Sequence, residues 1–236
     1  MKNVLCTICM RGNSKGVKNK NLKLINGKPL LYYTVIKAIK SKLFDEIVVS
    51  SDSKKILSLC KKLGIKNLIN RPNKLATDTS GKIPVIIHAL LNTEKKLKKN
   101  FKYVADLDVT APIRSIKDIK KTLNILIKKK SDNLVTATIS RKSPYFNIIE
   151  KNNLQIKLAK KTKNVLLRRQ DAPKTYDLNP SIYMWKCSSL IKNPSIFQKK
   201  TEIYLMPQSK SFDIDNDIDL EITKLFLKKK YEEKYK

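Results

Sequence analysis

The chain has 236 residues, 41% of them hydrophobic, and a formal net charge of +31, which suits one sizeable core and one main domain. Its lysines and arginines are spread evenly instead of clustering among aromatics, which argues against a polynucleotide-binding surface and for a basic bias on every solvated face. No run of about 18 apolar residues is present to cross a membrane, and the start MKNVLCTICMRG lacks a small-residue cleavage site, so a cytoplasmic protein is expected.

Short β-rich runs alternate with helical periods, the pattern of an α/β domain on a mostly parallel sheet. NVLCTIC reads as a buried first strand. Its Cys6 and Cys9 form a C-x-x-C, but residues three apart on a strand face opposite sides, so both are expected as core thiols and not as a metal or redox pair. After the loop MRGNSKGVKNKN, Pro29 opens the helix KPLLYYTVIKAIKS, and EIVVSSD is the second strand. SKKILSLCKKLG is an amphipathic helix stopped by Gly64. RPNKLATDTS is a loop before a helix with apolar Ile83, Ile86, Ile87, Leu90 and Leu91, in which His88 is expected as a structural residue. The strand YVADLDV, a helix near 115–130 and the strand NLVTATIS follow.

Between 141 and 180 the alternation fails among Pro144, Pro173 and Pro180, so this stretch is read as an inserted subdomain. Regularity returns with SIYMW, EIYLM and the last helix LEITKLFLKKKYEE. The expected division is therefore 1–140 plus 181–236 as the catalytic domain and 141–180 as the subdomain.

In open α/β sheets ligands bind beyond the carboxyl ends of the strands, and the loop after the first strand is the usual phosphate site. Residues 10–21 occupy that place. Gly12 and Gly16 allow backbone amides to approach an anion, and Arg11, Lys15, Lys18 and Lys20 add positive charge. The loop matches neither G-x-G-x-x-G nor the P-loop pattern. The complement lies near the other end, where five of the 20 acids alternate in DIDNDIDLE. In an extended segment Asp213 and Asp215 face one side and suit a shared divalent cation; without one, two carboxylates about 4 Å apart repel by roughly 4 kcal/mol at an effective dielectric near 20. Asn216 or Asp215 suits the cap of the last helix, and Asp217, Asp219 and Glu221 suit its positive end. A cationic loop with a remote carboxylate pair describes phosphoryl or nucleotidyl transfer.

RGNSKGVKNKN resembles the R-x-x-S-K-x-x-x-x-K-N signature of the acylneuraminate cytidylyltransferases, the CMP-sialic acid synthetases. RPNKLATDTS, LDVTAPIR, RRQDAPKTYDLNPSIY and DIDNDIDL resemble the later blocks of that family, in order, from residue 3 to about 225. The resemblance implies a Rossmann-like nucleotidyltransferase domain with a small dimerisation subdomain, which joins CTP to a nine-carbon 2-keto acid sugar. It implies Arg11, Lys15 and Lys20 as catalytic cations on the triphosphate, with Gly12, Ser14, Asn21 and Arg71 binding the nucleotide. Asn26, Asp108, Arg169 and Asn179 fall on the sugar side, and Asp213 and Asp215 hold Mg2+. Partners are CTP, the nonulosonic acid and a second copy of the chain, with no nucleic acid or membrane.

Two departures from the family pattern bear on the sugar. Asp108 stands where relatives acting on N-acetylneuraminate carry a glutamine, and an ionised aspartate only accepts hydrogen bonds. Asp177 stands where many relatives place an arginine. Both point to a bacterial relative of sialic acid such as legionaminic acid. The rival readings are a cytidylyltransferase for the eight-carbon acid of lipopolysaccharide and a non-catalytic, basic nucleic-acid-binding protein.

Overall fold

The computed structural model describes residues 3–13, 16–152, 155–163 and 166–228. The first apolar run forms β1 (Val4–Cys9). A two-residue hairpin, β2 (Leu24–Ile25) and β3 (Lys28–Pro29), turns at Asn26 and Gly27, both with positive φ as such a tight turn requires. Then come α1 (Leu30–Ser41), β4 (Glu46–Ser51), α2 (Lys54–Lys62), β5 (Asn67–Asn70), α3 (Lys82–Leu97) and β6 (Tyr103–Leu107). The chain continues through α4 (Ile116–Lys128), β7 (Asn133–Ile139), the short pair β8 (Ile149–Lys151) and β9 (Ile156–Leu158), and β10 (Tyr176–Lys186). It ends with α5 (Cys187–Lys192), β11 (Thr201–Leu205) and α6 (Asp217–Phe226). Asn216, one of the two caps expected, caps α6 and forms a capping box with Asp219.

Seven strands form one sheet in the order β11-β7-β10-β6-β1-β4-β5. All neighbours are parallel except β10, which runs against both β6 and β7. Residues 176–180, placed with the subdomain by the failing periodicity, are the first half of β10 and pair with β7. The remaining excursion between β7 and β10 carries the β8–β9 hairpin.

Strand alternation sets the layers. Val4, Cys6 and Ile8 of β1 pack into a core with Leu31, Val35, Ile56, Leu123 and Leu220 from α1, α2, α4 and α6. Leu5 and Cys9 face the other core, which holds Ile86 and Leu90 of α3, Trp185, and Leu190 of α5. The two cysteines thus face opposite sides, and both are free thiols. No helix among the described residues is long and apolar enough to cross a membrane.

The chain leaves β1 for β4 on one side and returns to β6 on the other. The carboxyl ends of β1 and β6 therefore bound the point where the sheet order reverses, the place where open α/β sheets form their ligand crevice.

Candidate active site

Two segments from opposite ends of the chain meet at this crevice. Lys20, in a 3-10 turn after the basic loop, donates from Nζ to the main-chain oxygen of Ile214 and lies 3.4 Å from Asp215 Oδ1. Gly16 lies against Asp215 so closely that a Cβ there would run into the Asp215 main-chain oxygen. Lys23 extends the junction with a 3.4 Å contact to Asp217.

The start of the loop is held by carboxylates and amides. Arg11 pairs with Asp78 at 2.6 Å, which joins β1 to the 71–80 loop. The Gly12 amide donates to Asp52 Oδ1 at 2.8 Å, so a carboxylate already sits at one of the amides expected to meet an anion. Buried Asn21 donates from Nδ2 to the Arg11 carbonyl at 2.8 Å and fixes the loop's two ends to each other. A cavity of about 680 Å³ beside the loop is lined by Gly12, Asn13, Lys18, Lys23, Asp52 and Lys55, among others. Ser14 and Lys15 lie outside the described residues.

Arg71, just past β5, is buried and donates from Nη2 to the Ser50 carbonyl at 2.8 Å, at the end of β4. Burial lowers its pKa, partly offset by the nearby Asp52 and Asp106 carboxylates.

On the other side of β1, Asp106 and Asp108 stand at the end of β6. Lys82, in the first turn of α3, places Nζ 2.7 Å from Asp108 Oδ2 and 3.2 Å from Asp106 Oδ2. Asp108 Oδ1 also accepts from the Thr110 amide at 3.1 Å and the Thr110 hydroxyl at 2.8 Å. Burial pushes the Asp108 pKa up, but Lys82 and Thr110 outweigh it and hold it at about 2. Burial likewise disfavours the Lys82 ammonium, and the two carboxylates more than compensate, so its pKa is raised. Asp106, tethered by the Thr7 hydroxyl at 2.9 Å, has its pKa raised because burial outweighs Lys82.

Thr110 connects this trio to the acidic segment. Its carbonyl accepts from the Ile214 amide at 3.0 Å, which places Asp213 and Asp215 on either side of a fully buried Ile214. Burial raises the pKa of Asp213, opposed by a hydrogen bond from Thr110 and the Lys20 charge and reinforced by the neighbouring Asp108 and Asp215 charges. Among the described residues its buried Oδ1 has no hydrogen-bond partner, an orphaned acceptor that suits a cation. Among the described residues no group of three or more His, Cys, Asp or Glu side chains could hold a metal alone. Two carboxylates that leave room for substrate oxygens suit Mg2+, which keeps phosphate and water ligands and rarely takes an all-protein cage.

The four residues expected on the sugar side part company. Asp108 joins the Lys82 trio. Asn179, buried at a bulge of β10, accepts from Thr136 Oγ1 at 2.6 Å and donates to Ser211 Oγ at 3.0 Å, two residues before Asp213. Exposed Arg169 donates to the Ser140 carbonyl at 3.2 Å, and Asp177 accepts from the Ser140 hydroxyl beside it. Asn26 is not brought to this cluster: it occupies the β2–β3 turn and donates to the Lys224 carbonyl at the end of α6, because the turn needs a residue tolerant of positive φ.

Sequence reading passed over Lys82, Asp106, Thr110 and Arg114. Arg114 is fully buried, with Nε on Ser181 Oγ and Nη1 on Thr34 Oγ1 at 3.0 Å each, and it also donates to the Asp108 carbonyl. Burial lowers its pKa to about 10. The one local signal was the D-x-D of Asp106 and Asp108, which repeats the spacing of Asp213 and Asp215.

A family model described as cytidylyltransferase matches residues 5–235. The chain is 43% identical over 230 residues to post-translational flagellin modification protein B of Campylobacter coli, covering 98% of this chain and 97% of that one. It is 43% identical to CMP-N,N'-diacetyllegionaminic acid synthase of Campylobacter jejuni, with 96% of each covered. Pseudaminic acid cytidylyltransferase of the same species is 30% identical, over 98% of this chain and 99% of its own. Among solved structures, CMP:2-keto-3-deoxy-manno-octonic acid synthetase complexed with CTP has a TM-score of 0.67 at 13% identity, over 96% of this chain and 99% of that one. The fold is thus shared with cytidylyltransferases at low identity.

Proposed function

The chain belongs to the cytidylyltransferase family and is a nucleotidyltransferase, and from that premise we propose that it activates a nonulosonic acid with CTP, yielding the CMP-sugar and pyrophosphate. The observation that carries this reading is the junction of Gly16 and Lys20 with Ile214 and Asp215, beside the unpartnered Asp213 oxygen. It puts a cationic loop and a carboxylate pair at one point of the crevice, as transfer between a triphosphate and an acidic sugar requires.

The anomeric 2-hydroxyl of the sugar gives up its proton to solvent and attacks the α-phosphorus of CTP in line, and the bond to the departing pyrophosphate breaks. Lys20 and Arg11 neutralise the phosphates, and Arg11 exchanges Asp78 for phosphate oxygens. Arg71 lies on the nucleotide side of β1, and Arg169 suits the sugar carboxylate because a guanidinium donates two parallel bonds. Asp213 and Asp215 would hold Mg2+, which supplies charge neutralisation to the reacting phosphates.

Legionaminic acid or a related diamino nonulosonate fits best as the sugar. Two 43%-identical relatives include the C. jejuni legionaminic acid enzyme, and Asp108 offers only acceptor oxygens, suited to acylamino N–H groups. The active unit is a homodimer formed through the excursion between β7 and β10, where Ile149, Ile156 and Leu158 are exposed on a hairpin too small for its own core and Phe146 and Ile148 are exposed just before it. The reaction takes place in the cytoplasm, where CTP is made.

The test is pyrophosphate release from each nucleoside triphosphate with a panel of keto-acid sugars. CTP with a nine-carbon acid is expected to give the highest kcat/KM. Preference for the eight-carbon acid, or for another nucleotide, would overturn the reading.

A further inference from the structure

Lys82 belongs to none of the groups that hold the nucleotide, the sugar or the acidic pair, yet it contacts a network that reaches the acidic pair through Thr110. Its ammonium stands between two aspartates and 5.2 Å from the centre of the Tyr183 ring. Two ionised carboxylates a few ångströms apart under this burial repel strongly, and a single cation between them removes the repulsion and draws both toward one point. Asp106 is anchored at its other oxygen by Thr7 on β1, so Lys82 has a fixed base to pull from.

The free end of the arrangement is Asp108. With Oδ2 on Lys82, its Oδ1 holds both the amide and the hydroxyl of Thr110, which fixes the backbone and the rotamer of that residue. Thr110 in turn receives the Ile214 amide, and its hydroxyl also lies within reach of the Asp213 carboxylate. A hydroxyl has one proton to give. The Thr110 hydroxyl donates to Asp108 Oδ1 at 2.8 Å, and among the described residues the buried Asp213 Oδ1 has no hydrogen-bond partner.

We propose that Lys82 is a positioning residue for nucleotidyl transfer, which acts through Asp108 and Thr110 to set where Asp213 presents its carboxylate. The inference deepens the proposed function and rests on its assignment of Asp213 to the metal. Groups in this outer position typically alter metal affinity or activity by about 10–100-fold when removed.

The test compares wild type with K82M, which keeps the length of the side chain and removes its charge, and with K82M/D106N, which removes one charge of each sign. Mn2+ binding in the presence of CTP is measured by the loss of the free-ion paramagnetic signal, alongside kcat and thermal unfolding. Mn2+ affinity is expected to fall about tenfold in both variants, with kcat down by about 10–100-fold and CTP KM moved less than threefold. A purely structural lysine would lower the melting temperature of K82M and leave Mn2+ affinity alone. If K82M is too unstable, the charge-balanced double variant carries the same measurement. Mn2+ affinity within twofold of wild type in either folded variant overturns the proposal. Failure of the wild type itself to bind Mn2+ with CTP overturns the metal assignment instead.

Discussion

Gly16 packs directly against the main-chain oxygen of Asp215, so the basic loop and the acidic segment touch backbone to backbone at a residue with no room for a Cβ. Lys20 repeats the contact one turn later on the Ile214 carbonyl. Gly16→Ala must therefore push the two segments apart. Overpacking of this kind costs about 1–3 kcal/mol. The expected result is a fall of at least tenfold in kcat/KM for CTP, with an unchanged far-UV circular dichroism spectrum. Normal turnover by this variant would show that the two segments need not be in contact for the reaction.

Asp213→Asn and Asp215→Asn are expected to stay folded and to lose turnover by about 10²-fold or more, the scale set by removing one charge-stabilising contact from a transition state. Both are solvent-facing in part, and neither is the main support of the core. Pyrophosphate release at millimolar Mg2+ checks this. Near-normal rates in either variant would remove that residue from the metal site.

Sugar choice is tested by the ratio of kcat/KM for N,N'-diacetyllegionaminic acid to that for N-acetylneuraminate. Asp108→Gln replaces an acceptor-only group by one that donates, so the ratio is expected to shift toward N-acetylneuraminate by about tenfold, the size of one mismatched polar contact. The variant also loses the Lys82 ion pair, which lowers both rates together and leaves the ratio as the informative number. An unchanged ratio would place Asp108 away from the sugar.

Ile149 and Ile156 are exposed at 61% and 65% on paired strands of the excursion hairpin. Ile149→Asp combined with Ile156→Asp is expected to convert a dimer to a monomer, as measured by sedimentation equilibrium at micromolar concentration, without lowering the melting temperature of the monomer unit. A wild type that is monomeric and fully active would refute the dimer.

Acid stability is expected to depend on Asp118, away from the crevice. Burial alone would raise its pKa, but the Ser115 amide and hydroxyl and the Lys210 ammonium at 2.9 Å outweigh burial and lower it. A depressed carboxylate stabilises the fold above its unfolded pKa, and that contribution is lost as pH falls through the lower, folded value. Asp118→Asn leaves Lys210 buried and unpaired, at a cost of about 3–5 kcal/mol near neutrality, and flattens the acid limb of the stability curve. Urea unfolding between neutral and acid pH reads both effects.

Much of this molecule was legible in its order of residues. Strand and helix periods, the glycines of the basic loop and the Asn216 cap depend on neighbours a few positions apart, and a sequence writes such relations directly. The family blocks were legible for the same reason, since each is a short run of side chains. β5 was not, because Asn67–Asn70 is a short edge strand between polar residues with no alternation to reveal it.

Only the tertiary structure decided which segments meet. Strand order brings residue 16 to residue 215, Lys82 to Asp106 and Asp108, and Arg114 to Thr34 and Ser181, and none of these pairs is related by a helical or strand period. The same is true of β10, whose apolar run says that it is buried but not that it lies antiparallel between β6 and β7. The reason is physical: local periodicity fixes which face of an element is apolar, whereas the partner of each polar group depends on crossovers that place distant elements side by side. The unpartnered oxygen of Asp213 and the charge between Asp106 and Asp108 exist only after those crossovers are made.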